Sequence, residues 1–474
     1  MVQTVAERIR ILTHVVRMSC VFLLAFAFGS VPLVAQDRPE LPEYILTEFG
    51  APPPIPDGPL EDGLAQAVQS AFYGAIAPVG SVSRTTWGEA NALALEALVA
   101  AGDPRVVWSI SDLMRFVWQR DVYEELAAAG ADLLGITFDA QPQDRWARIT
   151  DHLIAWDIPA YPSYLDTKRA IYTNAVHGWD GLFVEGEIDW RMVSWGGVPI
   201  DARAYNTTDS PCACIPAVDN PKVTTAEDAS WLKDSDIIFG IEINGDARAY
   251  PRRIMEVREM VNDTLGGRDL GIPYCTLCGA AQAYFTDDLP MDVERPILRT
   301  TGLLIRSNKV MYDVRTMSLF DTFLGHAVTG PLAEIGVTLA QATVITTDWG
   351  TWKTAHPDTT VLSENLALGR DFDLRNTRDA NGPIFPIGNV DPRLPVQEDV
   401  IGAMTASGVP VAFPRGAAFL ALQAGQVVAF ENIELVLNAG GLSAVDENGG
   451  DVPSHQAFWF AWSQFYPKTE LWSG

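Results

Sequence analysis

Apolar positions in the first third of the chain recur with the 3.6-residue period of amphipathic helices. Between residues 88 and 101 alanine and leucine fall on one helical face, and the run stops at Gly102. Asp103 and Pro104 then offer an N-cap and a first-turn proline for the next helix. The pattern predicts a helical domain over residues 61–190, for which HEAT-like helical pairs are one arrangement.

After about residue 190 the pattern changes to short β-type runs punctuated by glycine. The run 237–243 is followed by Asn244-Gly245, and Asn-Gly between two β-type runs is typical of a two-residue hairpin. Further strands are expected at 270–275, 280–285, 297–305 and 309–313. We therefore predict the fold class α+β, with the α-helical N-terminal domain followed by a β-rich α+β domain over residues 198–474.

The β-rich region contains an internal echo. Residues 237–252 resemble 400–415, and residues 349–359 resemble 460–469 in the same order. This order suggests a degenerate duplication, in which the second half lacks cysteines and completes the sheet of the first. Coincidence between common hairpin and helix-end patterns is the alternative. The predicted halves are 234–363 and 397–473.

The N-terminus has the composition of a secretory signal. An apolar run from Met18 to Phe28 follows basic residues and leads to small residues near Ala35. We expect residues 1–35 to be a signal peptide, and the mature chain to be extracytoplasmic, periplasmic or secreted, without a membrane span. An uncleaved anchor is the alternative. The prolines of residues 36–60 predict an extended linker without a core of its own.

Length and charge narrow the classes of protein further. A chain of 474 residues exceeds one ordinary core, so two or three domains are expected. The formal net charge of −27 repels phosphate backbones, which argues against a nucleic-acid partner. Solubility or a saline habitat is a sufficient reason for the acidity.

Four cysteines beyond the signal segment form two closely spaced pairs, Cys212-Ala-Cys214 and Cys275-Thr-Leu-Cys278. In the second pair, two sulfurs at this spacing can form a small disulfide or hold one metal ion. For redox chemistry Cys275 is the expected nucleophile and Cys278 the resolving thiol. A nearby cation would lower the thiol pKa. The candidate cations are Arg258, Arg306 and Lys309.

Metal binding and a plain structural disulfide are the alternatives for this loop. Zinc or copper would use Cys275 and Cys278 with His356, or with His326 as a further imidazole. Each histidine taken alone is more often a hydrogen-bonded structural residue. A structural disulfide would need no cofactor. The sequence leaves two roles for Cys212 and Cys214, namely cooperation with this pair or a purely local feature.

From about residue 198 onward the chain resembles the DUF3179 family, which is defined by sequence and lacks an established activity. The stretches that carry the resemblance are Gly240-x-x-x-Asn244-Gly245-x-Ala247-Arg248-Ala249-Tyr250-Pro251, Val261-Asn262-Asp263, Tyr274-Cys275-Thr276-Leu277-Cys278-Gly279, Thr301-Gly302-Leu303-Leu304-x-x-Ser307-Asn308-x-x-Met311-Tyr312-Asp313 and His356-Pro357-Asp358-Thr359-x-Val361-Leu362-Ser363. Selenocysteine in the loop of some relatives implies redox or soft-metal chemistry. Relatives often show Trp-His-Glu where this chain has Val257-Arg258-Glu259, so a role for that histidine is not carried over.

Polar residues in these stretches are candidates for a pocket beside the thiols, with turns and core packing as the alternative. They are Asn262, Asp263, Arg306, Ser307 and Asn308. The resulting hypothesis is thiol–disulfide redox or soft-metal handling outside the cytoplasm. Its partner would be a small molecule or a protein thiol. The alternative is a non-catalytic interaction or scaffold protein in which the disulfide is structural.

Overall fold

The computed structural model describes residues 40–79, 82–138, 145–207, 210–290, 292–363 and 382–474. From Leu41 to Gly474 the chain forms one unit of mixed helix and sheet, in agreement with the predicted α+β class. The expected signal peptide, residues 1–35, lies outside the described residues. Within the described ranges, no helix is both long and apolar enough to cross a bilayer.

Amphipathic helices build the N-terminal part, as the periodicity predicts. They are α1 Glu43–Phe49, α2 Asp62–Phe72, α3 Glu89–Ala101, α4 Val107–Met114, α5 Arg120–Leu134, α6 Arg145–Ala155 and α7 Tyr164–Ala175, with a hairpin of β1 Ile76–Val79 and β2 Val82–Thr85 between α2 and α3. Gly102 ends α3 with a φ of 73°, in the left-handed region that glycine favours. The Asp103 carboxylate accepts a hydrogen bond of 3.0 Å from the Arg105 backbone N–H, which caps the next turn.

Residues 41–60 do not form the expected linker, because they pack on the helices. The Gly50 carbonyl accepts a hydrogen bond from Trp156 Nε1 at 2.9 Å. The Gly58 carbonyl accepts one from Arg105 Nη1 at 2.5 Å. A proline residue lacks the backbone N–H donor but keeps its carbonyl acceptor. The carbonyl groups of a proline-rich segment can therefore still accept hydrogen bonds from the helices.

The helical region is not confirmed as a domain of its own. Strand β3, Val193–Trp195, pairs antiparallel with β12, Leu298–Ile305, and so joins a sheet of the β-rich region. Trp179 Nε1 donates to the Thr301 carbonyl at 2.9 Å. Apolar side chains of the helices and of this sheet share one core. The change in sequence periodicity near residue 190 therefore marks a change of element type and not a domain boundary.

Five larger sheets form a propeller-like ring in the β-rich region. Sheet I contains β3, β12, β13 Asn308–Asp313, β14 Leu319–Asp321 and β15 His326–Ala327. Sheet II contains β4 Val218–Asp219, β8 Met260–Leu265, β9 Arg268–Cys275, β10 Ala280–Ala281, β11 Ala283–Phe285 and β16 Gln341–Ala342. Sheet III contains β5 Val223–Thr225, β6 Ile237–Ile243, β7 Asp246–Pro251, β17 Ile345–Asp348 and β18 Thr360–Leu362. Sheet IV contains β19 Asp399–Met404, β20 Pro410–Pro414, β25 Ser454–Phe458 and β26 Glu470–Leu471. Sheet V contains β21 Val428–Phe430, β22 Ile433–Asn438, β23 Gly441–Asp446 and β24 Asp451–Val452. The helices of this region are α8 Arg252–Arg258, α9 Pro331–Glu334, α10 Trp349–Ala355, α11 Arg415–Gln423 and α12 Trp459–Phe465.

Sheets III and IV repeat one topology, as the internal echo predicts. The order β17-β6-β7-β18 matches β25-β19-β20-β26, with two antiparallel pairings followed by a parallel one in each sheet. Trp352 donates to the Thr359 hydroxyl at 2.9 Å, and Trp462 donates to the Thr469 hydroxyl at 2.8 Å. The second half therefore builds sheets of its own, and does not complete the sheet of the first half.

The equivalent contact of glycine with tryptophan in the two sheets gives a stability prediction. A Cβ added at Gly402 would overlap the Trp462 ring, as one at Gly240 would overlap Trp352. We expect Gly402→Ala to lower the free energy of unfolding by about 1–3 kcal/mol, because the packed ring must move. Denaturant titration measures this loss. Gly416→Ala in α11 is the control, since its added Cβ meets no atom within 4 Å, and equal losses in both variants would contradict the prediction.

Candidate functional site

The paired cysteines lie in a β-hairpin loop. Strand β9 ends at Cys275, β10 begins at Ala280, and these two residues pair. The Cys278 backbone N–H donates to the Cys275 carbonyl at 3.2 Å, which closes the turn. The structure pairs the two residues as a disulfide, with their Cα atoms 5.3 Å apart. Because a strand follows the loop, no helix N-terminus follows Cys278, and a thiolate would need another source of positive potential.

Sheet IV covers this loop from behind. The Phe458 backbone N–H at the end of β25 donates to the Cys278 carbonyl at 2.8 Å. Gly279 has a φ of 62° and lies against the Phe458 ring, where a Cβ would overlap it. The second half of the duplication thus contributes the wall that buries Cys278.

A tight hairpin of sheet I presents oxygen atoms to the two sulfurs. Arg306 and Ser307 connect β12 to β13 with φ values of 45° and 70°, as a type I′ turn requires. The Ser307 carbonyl oxygen lies 3.9 Å from Cys275 Sγ and 3.5 Å from Cys278 Sγ. Asn308 Oδ1 lies 3.0 Å from Cys278 Sγ. In the dithiol form, these oxygens can accept hydrogen bonds from thiols.

The Asn308 side chain can also serve a thiolate. Its Nδ2 is buried and has no hydrogen-bond partner within the described part of the chain. Half a turn of the amide about its last bond exchanges Nδ2 and Oδ1. The same side chain could therefore accept from a protonated Cys278 or donate to its thiolate.

A cavity of about 380 Å³ opens beside the loop. Cys275 is one of its lining residues, whereas Cys278 is not. The two residues are 2% and 0% exposed, so access to the disulfide is through the Cys275 side of this cavity. Apolar side chains form much of the wall, among them Val198, Ile215, Leu304 and Phe385.

A buried ion pair lines the same cavity. Lys309 Nζ lies 2.9 Å from Glu259 Oε2, and also donates to the carbonyls of Glu259 at 2.5 Å and Tyr274 at 3.0 Å. Burial lowers the pKa of Lys309, and the Glu259 carboxylate opposes that shift. The Thr276 hydroxyl donates to Glu259 Oε1 at 3.3 Å. A cation and a carboxylate therefore share a cavity wall with Cys275.

Of the three candidate cations, Lys309 is the one that lines this cavity. Arg306 Nε instead lies 3.2 Å from Met192 Sδ, toward the helical region, and burial lowers its pKa. Arg258 Nη1 donates to the Pro216 carbonyl at 3.4 Å. The predicted pocket residues Ser307 and Asn308 meet the sulfurs, but their neighbour Arg306 does not line the cavity.

Asn262 ties three strands together away from the cavity. Its Nδ2 donates to Asp219 Oδ1 and to the Leu298 carbonyl, both at 3.0 Å, and its Oδ1 accepts from the Leu298 N–H at 3.0 Å. Every polar atom of this buried amide is thereby occupied in joining sheet I to sheet II. Asn262 therefore has the structural role that was the alternative to a pocket residue.

Asp263 is held by residues of sheet III. Its carboxylate accepts hydrogen bonds from Arg248 Nη1 at 2.6 Å and from the Tyr250 hydroxyl at 2.7 Å. Its other oxygen accepts from the Thr264 N–H at 2.7 Å. The motif residues Arg248, Tyr250 and Asp263 thus fasten sheet III to sheet II, and Asp263 does not line the cavity.

The structure does not bring His356 to the sulfurs. Its ring centroid lies 4.1 Å from that of Trp352, and Tyr466 stands at 4.3 Å from Trp462 in the repeated sheet. An imidazole therefore occupies the place of a packing aromatic. Among the described residues, the group with metal-ligand spacing is Asp201, Cys212 and Cys214, which contains neither Cys275 nor Cys278.

His326 is also placed away from the loop. Its Nδ1 lies 2.6 Å from the Thr338 hydroxyl, and its Nε2 lies 3.0 Å from Glu187 Oε2. Both ring nitrogens therefore have partners unrelated to the cysteines, as expected for a structural histidine.

Residues 212–450 match the model of a family described as protein of unknown function, DUF3179. The chain belongs to the DUF3179 family. No curated protein and no solved structure matches the chain. The matched range of this DUF3179 protein includes both cysteine pairs.

Among the cavity residues of this DUF3179 protein that were not predicted from the sequence, Glu259 is the one that pairs with Lys309. Glu259 follows α8 with a φ of 51° and supplies the carboxylate that pairs with Lys309. In the triplet Val257-Arg258-Glu259, the glutamate of the Trp-His-Glu that relatives often show is present, whereas the histidine is replaced. That retained glutamate was the available signal.

Proposed function

We propose that this protein is an extracytoplasmic thiol–disulfide oxidoreductase that reacts at Cys275. The observation that carries the proposal is the asymmetry of the pair, because Cys275 lines the cavity and Cys278 is sealed behind it. An incoming thiolate can then reach one sulfur only. The extracytoplasmic location rests on the signal-like composition of residues 1–35.

The exchange uses both sulfurs in order. A substrate thiolate attacks Cys275 Sγ, the bond between Cys275 and Cys278 breaks, and Cys278 leaves as a thiolate that takes up a proton. A second substrate thiolate then attacks the substrate sulfur of the mixed disulfide and releases Cys275. The substrate leaves as a disulfide, and the protein holds two thiols. Two electrons and two protons are transferred, and the reverse sequence reduces a substrate disulfide.

The neighbouring charged groups fit these steps. The ammonium of Lys309 favours the thiolate form of Cys275 across the cavity they share, since a nearby cation lowers a thiol pKa. Glu259 holds Lys309 in place and has a carboxylate that can accept a proton. Rotation of the Asn308 amide would bring its unpartnered Nδ2 to the place of Oδ1, which lies 3.0 Å from Cys278 Sγ, and Nδ2 would then donate a hydrogen bond to the leaving thiolate.

The substrate that fits the cavity is a small thiol or disulfide with an apolar part. A volume of about 380 Å³ lies near the lower end of the range for small-molecule sites, and apolar side chains form much of its wall. A residue that is 2% exposed offers no surface on which a folded protein could dock its own disulfide. Protein partners therefore need an indirect route.

A matched pair of variants tests the proposed order of attack. In a chain carrying Cys212→Ser and Cys214→Ser, the small probe 2-hydroxyethyl disulfide is expected to form a mixed disulfide at Cys275 when Cys278 is serine. The reciprocal variant, with Cys275→Ser, should be modified at least about tenfold more slowly, since Cys278 has no exposed surface. Intact-mass spectrometry over time measures both rates.

The rival function is a non-catalytic scaffold in which this disulfide is a clip. Equal modification rates in the two variants would remove the asymmetry on which the proposal rests. A reduction potential below about −300 mV for the Cys275 and Cys278 pair would also favour the clip, because working couples are more oxidising.

A further inference from the structure

A second disulfide lies at the surface, between Cys212 and Cys214, whose Cα atoms are 5.1 Å apart. Cys212 is exposed and Cys214 is partly buried. An exposed disulfide can exchange with thiols of any size, whereas a disulfide inside a cavity can exchange only with a thiol small enough to enter. The protein therefore has one disulfide that a macromolecule can reach and one that it cannot.

The exposed pair stands at the edge of the cavity. Ile215, which directly follows Cys214, is one of the residues that line the cavity together with Cys275. The Ile215 carbonyl accepts a hydrogen bond from the Thr300 hydroxyl at 3.0 Å. One peptide bond thus separates Cys214 from a residue of the cavity wall.

Arg203 holds the segment that carries this pair. Its guanidinium donates to the carbonyls of Ser210 at 3.2 Å and Ala217 at 2.7 Å, one on each side of the two cysteines. It also donates to Asp201, at 2.6 Å and 2.8 Å to the two carboxylate oxygens. The pair is thereby fixed near the cavity and not carried on a free surface loop. Because Cys212 and Cys214 are joined in a disulfide, they offer no thiolate to a metal, and a redox role suits the group better than a metal site.

We infer that Cys212 and Cys214 relay electrons between an external protein dithiol and the disulfide of Cys275 and Cys278. The inference rests on the proposed function, since it supplies the indirect route that a buried redox pair needs. Sulfur exchange requires direct contact between thiolate and disulfide, and the cavity is the passage that the two pairs share.

Atoms and electrons are conserved in each step of the relay. The external dithiol reduces the disulfide of Cys212 and Cys214, and is itself oxidised to a disulfide. The Cys214 thiolate, which adjoins Ile215 of the cavity wall, then attacks Cys275 Sγ, and Cys278 leaves as a thiolate that takes up a proton. Cys212 attacks Cys214 Sγ, which restores the surface disulfide and releases Cys275. Two electrons and two protons have moved from the external dithiol to the buried pair.

The test compares a large and a small reductant on the full chain. A reduced thioredoxin-type protein is expected to reduce the disulfide of Cys275 and Cys278 at least about tenfold more slowly when Cys212 and Cys214 are serine. Dithiothreitol, which fits the cavity, should reduce it at the wild-type rate in both chains. Ser210→Ala is the matched control in the same loop, because it leaves both cysteines and the Ser210 carbonyl in place.

The outcomes separate the relay from the proposed function. If the protein dithiol reduces the buried pair equally fast without Cys212 and Cys214, the relay is overturned while the oxidoreductase proposal stands. If dithiothreitol fails to reduce the buried pair in either chain, both are overturned. A chain with Cys212→Ser and Cys278→Ser provides a second readout, since mild oxidation should then link Cys214 to Cys275, and the absence of that link in a peptide map contradicts the relay.

Discussion

Replacing Lys309 with methionine is expected to slow alkylation of the Cys275 thiol at neutral pH by about tenfold or more. An opposite charge close to a titrating group shifts its pKa by about 1–3 units, and each unit corresponds to tenfold in thiolate population. Without Lys309, the remaining Glu259 carboxylate also raises the pKa of the thiol. Iodoacetamide labelling of the Cys275 peptide in a Cys278→Ser chain, followed across pH, measures the effect as a midpoint displaced to higher pH.

Arg306→Met is the matched control for this experiment. Arg306 is also a largely buried cation of the same hairpin, but its guanidinium points to Met192 and not into the cavity. The Arg306→Met variant should keep the pH midpoint of Cys275 alkylation within about 0.3 pH units of that of the parent Cys278→Ser chain, since no charge of the cavity is lost. An unchanged midpoint in Lys309→Met, or the same displacement in both variants, would show that Lys309 does not set the reactivity of Cys275.

The β-hairpin around the cysteines was predictable because its information is local. The β-type runs on either side of the loop predict two strands, and the structure has the first as β9 and the second divided into β10 and β11. The duplication was also predictable, because the tryptophan and threonine of each copy form one hydrogen bond within a short segment. Sequence patterns that reflect contacts within about ten residues therefore predict the corresponding parts of the fold.

The cavity could not be predicted, because its wall comes from distant parts of the chain. Val198, Glu259, Leu304 and Phe385 meet beside Cys275 only after sheets I and II and the segments around Val198 and Phe385 have packed together. The hydrophobic period of a segment predicts which of its faces is buried, but it does not predict which other element packs against that face.

For the same reason, the polar motif residue Asn262 looked like a pocket residue, although its partners are the carbonyl of Leu298 and the carboxylate of Asp219 in neighbouring strands. A polar side chain in a motif can equally fasten two sheets, and the choice between these roles depends on partners that sequence does not place.

The largest expected loss of stability follows removal of the guanidinium that meets Asp219. Arg299 is 1% exposed and donates from Nη1 to Asp219 Oδ1 at 2.7 Å and from Nη2 to Asp219 Oδ2, with Asp201 Oδ2 3.6 Å from its Nε. Arg299→Met keeps most of the side-chain volume but leaves a buried carboxylate without its cation. The free energy of unfolding should fall by about 3–5 kcal/mol, as for other broken buried pairs, and denaturant titration measures it.

Two further variants show whether this loss comes from charge. Arg268→Met removes an equally direct pair with Asp287, but those side chains are 34% and 27% exposed, so the loss should be about 0–1 kcal/mol. Adding Asp219→Asn to Arg299→Met removes the stranded charge and should recover part of the stability, because the penalty comes from an uncompensated buried carboxylate. A double variant that is less stable than Arg299→Met alone would mean that packing and hydrogen bonding of Asp219, and not its charge, hold sheets I and II together at this point.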